Sequence, residues 1–173
     1  MQSTPRPKII VGLDGSEGSA RALDWAIKTG RRLDAEIIAV HVEAAAIYVP
    51  GPMGVAPPVQ SRAWLEEQER CFTEDWCAPL RSSGLSFQSV FEEGTTPASI
   101  MMKLAQREGA EMIVVGTRGL GGFVELLLGS VSHQLAHHSP IPVVIVPPVQ
   151  KALTPEAVES LEATLRRTSF APA

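Results

Sequence analysis

The chain has 173 residues, 45% of them hydrophobic, and a formal net charge of −4. That length suits one domain better than two, and the apolar fraction is enough for a core without disulfides or a metal. The acidic balance argues against a nucleic-acid binder or an anionic-membrane binder, either of which carries a basic stripe.

In chain order, residues 1–15 contain no apolar segment of signal-peptide length, and no eighteen uninterrupted apolar residues follow. A cytoplasmic location without a membrane span is therefore expected. The run KIIVGL (8–13) reads as a short buried strand that stops at DGSEGS, a turn and helix start with Ser16 as its cap. Leu23, Ala26, Ile27, Gly30 and Leu33 then recur at helical spacing. AEIIAVHVEA (35–44) reads as a second strand, and the proline-rich stretch 47–59 as a long loop. A single helix is expected over 61–80, with Leu65, Phe72 and Trp76 on its inner side and an acidic outer face. SFQSVFEEG (86–94) alternates like a strand near an edge. Thr96-Pro97 sets a cap and first-turn proline for a helix that Gly109 ends. Strands at 111–116 and 141–146 flank a helix near 130–138.

Alternating strands and helices predict an α/β single-domain three-layer sandwich with a five-stranded, mostly parallel sheet and right-handed crossovers. Residues 1–148 form the expected domain. Thr154-Pro155-Glu156 opens an expected helical tail within 149–173, with Val158, Leu161 and Leu165 on one face. In such sheets a ligand lies beyond the carboxyl ends of the strands, where strand order reverses.

GTRGLGGFVELLLGS (116–130) holds five of the fourteen glycines, and Arg118 is its only cation. Glycines let backbone N–H groups approach an anion and permit positive φ, and both are expected at Gly119 and Gly129. Ser130 and Ser132 sit in the first turn of the next helix, whose N–H groups and positive dipole end favour a phosphate. The loop is not a Walker A motif, since no Gly-Lys-Ser/Thr follows. A plain strand-to-helix connection is the alternative, though the apolar FVELLLG inside it argues for packing.

Gly116-x2-Gly119-x9-Gly129-Ser130, together with VGLDGSEGSARALDWA, HV and SPIPVVIV, resembles the ATP-binding signature and landmarks of the universal stress protein family over about 8–148. The resemblance implies a Rossmann-like fold and a triphosphate held by Gly116, Arg118, Gly119, Gly129, Ser130, Val131 and Ser132. It implies Leu13 and Asp14 after the first strand near ribose, phosphates or metal, Val42 meeting adenine through its backbone, and Mg²⁺ on the phosphates. It also implies a homodimer, for which the strand at 141–146 is the natural seam. The proline content of 50–58 and the tail after Pro148 depart from the family pattern.

Other features have plainer readings. Asp14 is also a turn residue that caps the following helix. His133, His137 and His138 read as helix-surface residues, and Cys71 and Cys77 as reduced thiols. Trp25, Trp64 and Trp76 read as core or interface, and Glu66, Glu67, Glu69, Glu74 and Asp75 as a solvated face. No catalytic group is assigned. The implied function is an ATP- and Mg²⁺-binding regulatory or stress-response module acting on an unidentified protein partner, with at most slow hydrolysis. The competing readings are a cAMP- or AMP-sensing module of the same family and an ATP-hydrolysing enzyme.

Overall fold

The computed structural model describes residues 6–44, 61–119 and 128–148. The expected loop at 47–59, the tail and the apolar insert at 120–127 lie outside them. Five strands, β1 (Lys8–Gly12), β2 (Glu36–Ala44), β3 (Phe87–Gly94), β4 (Met112–Gly116) and β5 (Val143–Val146), form one sheet in the order β3-β2-β1-β4-β5. Every pairing is parallel. The helices are α1 (Glu17–Leu33), α2 (Arg62–Arg70), α3 (Ala78–Arg81), α4 (Pro97–Glu108) and α5 (Ser130–His138), with a π-helical turn at Cys71–Trp76 between α2 and α3.

The three layers follow from the two-residue period of the strands. Ile9, Val11, Ile37, Ala39 and Val114 pack under α1 and the π-helical turn with Leu23, Ile27, Phe72 and Leu80. Their neighbours Ile10, Ile38, Val40, Ile113 and Val115 face the opposite side and meet Met101, Leu104 and Leu135 of α4 and α5. Each half therefore buries its own apolar stripe, and the central strands β1, β2 and β4 are buried on both faces while the edge strand β3 is partly exposed.

Local chemistry sets most helix ends. Ser16 caps α1, its Oγ accepting from Ser19 N–H at 3.1 Å. Gly109 closes α4 at φ 63°, the left-handed geometry that favours glycine. Thr96 precedes α4 as expected, but its side chain makes no capping bond, and Pro97 starts the helix. β5 begins at Val143 rather than Ile141, because Pro142 has no N–H to give and contributes only its carbonyl, to Ile113 N–H at 3.0 Å.

The expected helix over 61–80 is broken. Cys77 N–H donates to Phe72 O at 3.1 Å, a wide i to i+5 turn. Arg81 donates to the carbonyls of Thr73, at 2.6 Å, and Glu74, which partners the groups this irregular turn exposes. Phe72 is thereby fully buried while Trp76, four residues on, is turned toward the β1–α1 junction. The outer face is ion-paired rather than simply acidic: Arg62 meets Glu66, and Arg70 meets Glu67 and Glu74.

Candidate functional site

Strand order reverses between β1 and β4. From β1 the chain crosses to β2, whereas α4 brings β4 in on the other side. A cleft of about 690 Å³ opens at the carboxyl ends of these strands, and all ten residues singled out from the sequence line it.

The glycine-loop end of the cleft is assembled by close backbone crossings. A Cβ at Gly116 would lie 2.7 Å from the backbone of Gly18, and one at Gly18 would lie 2.5 Å from Arg118 O. The end of β4 thus rests directly on the first turn of α1. A Cβ at Gly119 would meet Asp14 Oδ2 at 2.0 Å. The other oxygen, Asp14 Oδ1, accepts from Ser16 N–H at 3.0 Å and Ser16 Oγ at 2.6 Å. Asp14 is therefore the turn residue of β1–α1 and also the wall of the glycine loop.

Gly129 N–H donates to Thr117 O at 2.7 Å, and the buried Ser132 Oγ donates to Thr117 O at 2.8 Å and Gly129 O at 3.0 Å. These bonds pin the start of α5 beside the end of β4. The helix's first turn, Ser130, Val131 and Ser132, lines the cleft, so its N–H groups and positive dipole end lie there. The positive φ expected at Gly119 and Gly129 is absent. Gly129 has φ −73° and ψ 167°, and among the described glycines only Gly15, Gly84 and Gly109 are left-handed. Close approach, not handedness, is why glycine is needed at 116 and 119.

The opposite end is built on β2, which outlasts its neighbour. The β1–β2 register ends at Gly12 and Val40, one more bond follows from Leu13 N–H to Val40 O at 2.8 Å, and β2 continues to Ala44. Backbone groups of a strand alternate between its two sides, so Val42, like Val40, presents its N–H and C=O toward the gap beyond β1. Val40, Met101, Val115 and Val131 supply an apolar wall on the α4–α5 side.

Three residues outside those ten also build the site: two have no assignment from the sequence, and Trp76 reads there as core or interface. Gly18 is one; a glycine inside the first turn of a helix, against its propensity, was the available signal. His41 is buried on the opposite wall beside Trp76, Phe91 and Phe72, with ring centroids at 5.0, 5.4 and 5.8 Å. Trp76 lines the cleft and lies against Gly15, where a Cβ would come within 2.6 Å of its ring and φ is +78°. Only Trp25 of the three tryptophans is a plain core neighbour, since Trp64 is exposed. His133 and His137 are exposed on α5.

A doubly wound parallel α/β domain with a glycine-lined cleft at its switch point is the class that fold and site define. The universal stress protein family model matches residues 5–147, and the chain belongs to that family. Universal stress protein YxiE of Bacillus subtilis is 30% identical over 145 residues, covering 80% of this chain and 97% of that protein. A universal stress protein of Methanocaldococcus jannaschii is 29% identical over 145 residues, covering 80% and 81%. Among solved structures, a universal stress protein in complex with cAMP is 28% identical with a TM-score of 0.53, covering 83% of this chain and 98% of that one. The fold is also that of universal stress protein UspA from Lactobacillus plantarum, at TM-score 0.66 and 18% identity, covering 83% and 99%.

Proposed function

We propose that the cleft binds an adenine nucleotide, ATP with Mg²⁺, and that the chain is a nucleotide-dependent regulatory module. The observation that supports this best is that one cleft joins a strand backbone edge at Val42 to the first turn of α5. An N–H beside a C=O matches the acceptor and donor edge of adenine, and helix-start N–H groups match phosphate. On this reading Leu13 and Asp14 flank the ribose and phosphates. Gly116, Gly119 and Gly129 allow close approach, and Arg118, Ser130, Val131 and Ser132 ring the triphosphate. Because the single Ser132 Oγ–H is already shared between two carbonyls, its contribution is its backbone N–H. Asp14, whose Oδ2 faces the loop, would hold a phosphate-bound Mg²⁺.

The same site fits a monophosphate, and a relative 28% identical was solved with cAMP, so AMP or cAMP sensing is the second reading. The output we propose is a nucleotide-stabilised surface for a protein partner in the cytoplasm. The working unit would be a homodimer joined along the strand at 141–146. Mass spectrometry of small molecules released from the purified, denatured protein, followed by calorimetry with ATP, AMP and cAMP, tests the reading. ATP tightest with Mg²⁺ is the expected result; no affinity for any of the three refutes it.

A further inference from the structure

The β1–β2 ladder stops one bond early. In a parallel pair Leu13 N–H bonds Val40 O, as it does here, and Leu13 O would next accept from the N–H of Val42. That bond is not made. Leu13 O instead accepts from the Nδ1–H of the buried His41 at 2.7 Å. A carbonyl can only accept, so this contact places a proton on Nδ1. The ring is held there by Trp76, Phe72 and Phe91, while its Nε2 lies 3.2 Å from Glu43 Oε2. An imidazole has thus taken the place of a backbone donor at the point where β1 leaves the sheet for Asp14.

We infer that His41 is a positioning residue that occupies the Leu13 carbonyl and so keeps the Val42 N–H open to the ligand. The inference rests on the nucleotide reading for the identity of that ligand, but its structural half stands without one. A buried carbonyl that loses its donor must find another, and by the register of the ladder the next donor is the amide the ligand needs. Removing the imidazole therefore extends the ladder by one bond and closes the base-recognising edge.

The test uses the full chain and three substitutions. His41→Phe keeps an aromatic ring in the cluster without a donor; His41→Asn places an amide N–H where Nδ1–H stands; His41→Gln places it too far out. Amide hydrogen exchange of the free protein reads the Val42 N–H directly. It should be fast in wild type and in His41→Asn, and slowed at least tenfold in His41→Phe and His41→Gln. Affinity for ATP should fall roughly tenfold in those two variants and be restored in His41→Asn, as for one hydrogen bond lost. Should His41→Phe not fold, wild type against His41→Asn and His41→Gln decides. A Val42 amide as protected as Val40 in the free wild type overturns the inference, as does His41→Asn behaving like His41→Gln. Exchange as expected with no ATP binding in any variant refutes the nucleotide reading and leaves the role of His41 intact.

Discussion

Replacing Gly119 with alanine probes the junction on which the proposed phosphate end depends. The new Cβ would lie 2.0 Å from Asp14 Oδ2 and 3.2 Å from its Cγ, against an ordinary carbon–oxygen contact of roughly 3.3 Å. The carboxylate is the far end of a short side chain, so it can swing away, but not freely. Its Oδ1 holds Ser16 N–H at 3.0 Å and Ser16 Oγ at 2.6 Å, and rotation gives those up. Hydrogen bonds to a charged group are worth about 1.5–3 kcal/mol, and Asp14 is only half-buried, which places the cost at the lower end. Nucleotide affinity should fall about tenfold to thirtyfold, one tenfold step being about 1.4 kcal/mol. Thermal stability should fall modestly as well, because the two Ser16 bonds are lost with or without nucleotide while Ser16 Oγ still caps α1 through Ser19 N–H.

The assay is calorimetry on a double-mutant cycle with Asp14→Ala. In that background the atoms struck by the new methyl are gone, so Gly119→Ala should cost less than about 0.5 kcal/mol more. Equal costs in both backgrounds, or wild-type affinity in the single variant, would show that the Asp14–Gly119 contact is irrelevant to binding.

Three further outcomes are expected. Glu108 donates nothing and accepts from Lys8 Nζ at 2.9 Å, and Lys8 first and Arg107 second hold its carboxyl below the usual carboxylate range. Its contribution is present above the ordinary value of about 4.3 and lost as pH falls through the lowered one; Lys8→Met should flatten that acid limb of the denaturation midpoint. Cys77 is fully buried and burial pushes its thiol up to about 11, so a maleimide should label the half-exposed Cys71 first and Cys77 only on unfolding; equal rates would contradict the packing around Phe72. On β5, Val146 O and Pro142 O face β4, so Val143 and Ile145 turn their N–H groups outward; Val143→Pro should keep the β4 ladder and give monomer by light scattering, and a soluble dimer would dismiss the proposed seam.

Much of the architecture was legible because its signals are local. Strand runs such as KIIVG and MIVVG end just before the turn residues Asp14 and Thr117, and Ser16 and Gly109 mark helix ends by their own geometry. The site was legible only as spacing. That Gly119 faces Asp14 and Gly116 faces Gly18 depends on distant elements crossing, which periodicity does not encode. The π-helical turn was missed for the same reason: CFTEDW has helical propensity, and burial of Phe72 with Arg81 below it decides the wider turn. His41 read as part of a strand, and its bond to Leu13 O requires knowing where β1 ends.

The arrangement also bears on turnover. If the proposed triphosphate is held by N–H groups of the α5 first turn and of the glycine loop, those donors meet phosphate oxygens that are charged before, during and after transfer. Contacts that act alike on ground and transition states tighten binding without speeding chemistry. A faster reaction needs a group that acts on an attacking water, and among the described residues the two carboxylates lining the cleft both have other roles. Asp14 Oδ1 accepts from Ser16 and its Oδ2 is the proposed Mg²⁺ ligand, and Glu43 lies beside His41 at the Val42 end. Hydrolysis is therefore expected to run far below the roughly 1–100 s⁻¹ typical of kinases. Asp14→Asn should weaken binding and leave the bound-state rate unchanged, in single-turnover measurements with Mg²⁺. A steady-state rate above about 1 s⁻¹, or a loss of rate in Asp14→Asn at unchanged affinity, would mark an interaction made only in the transition state and would make this chain an enzyme.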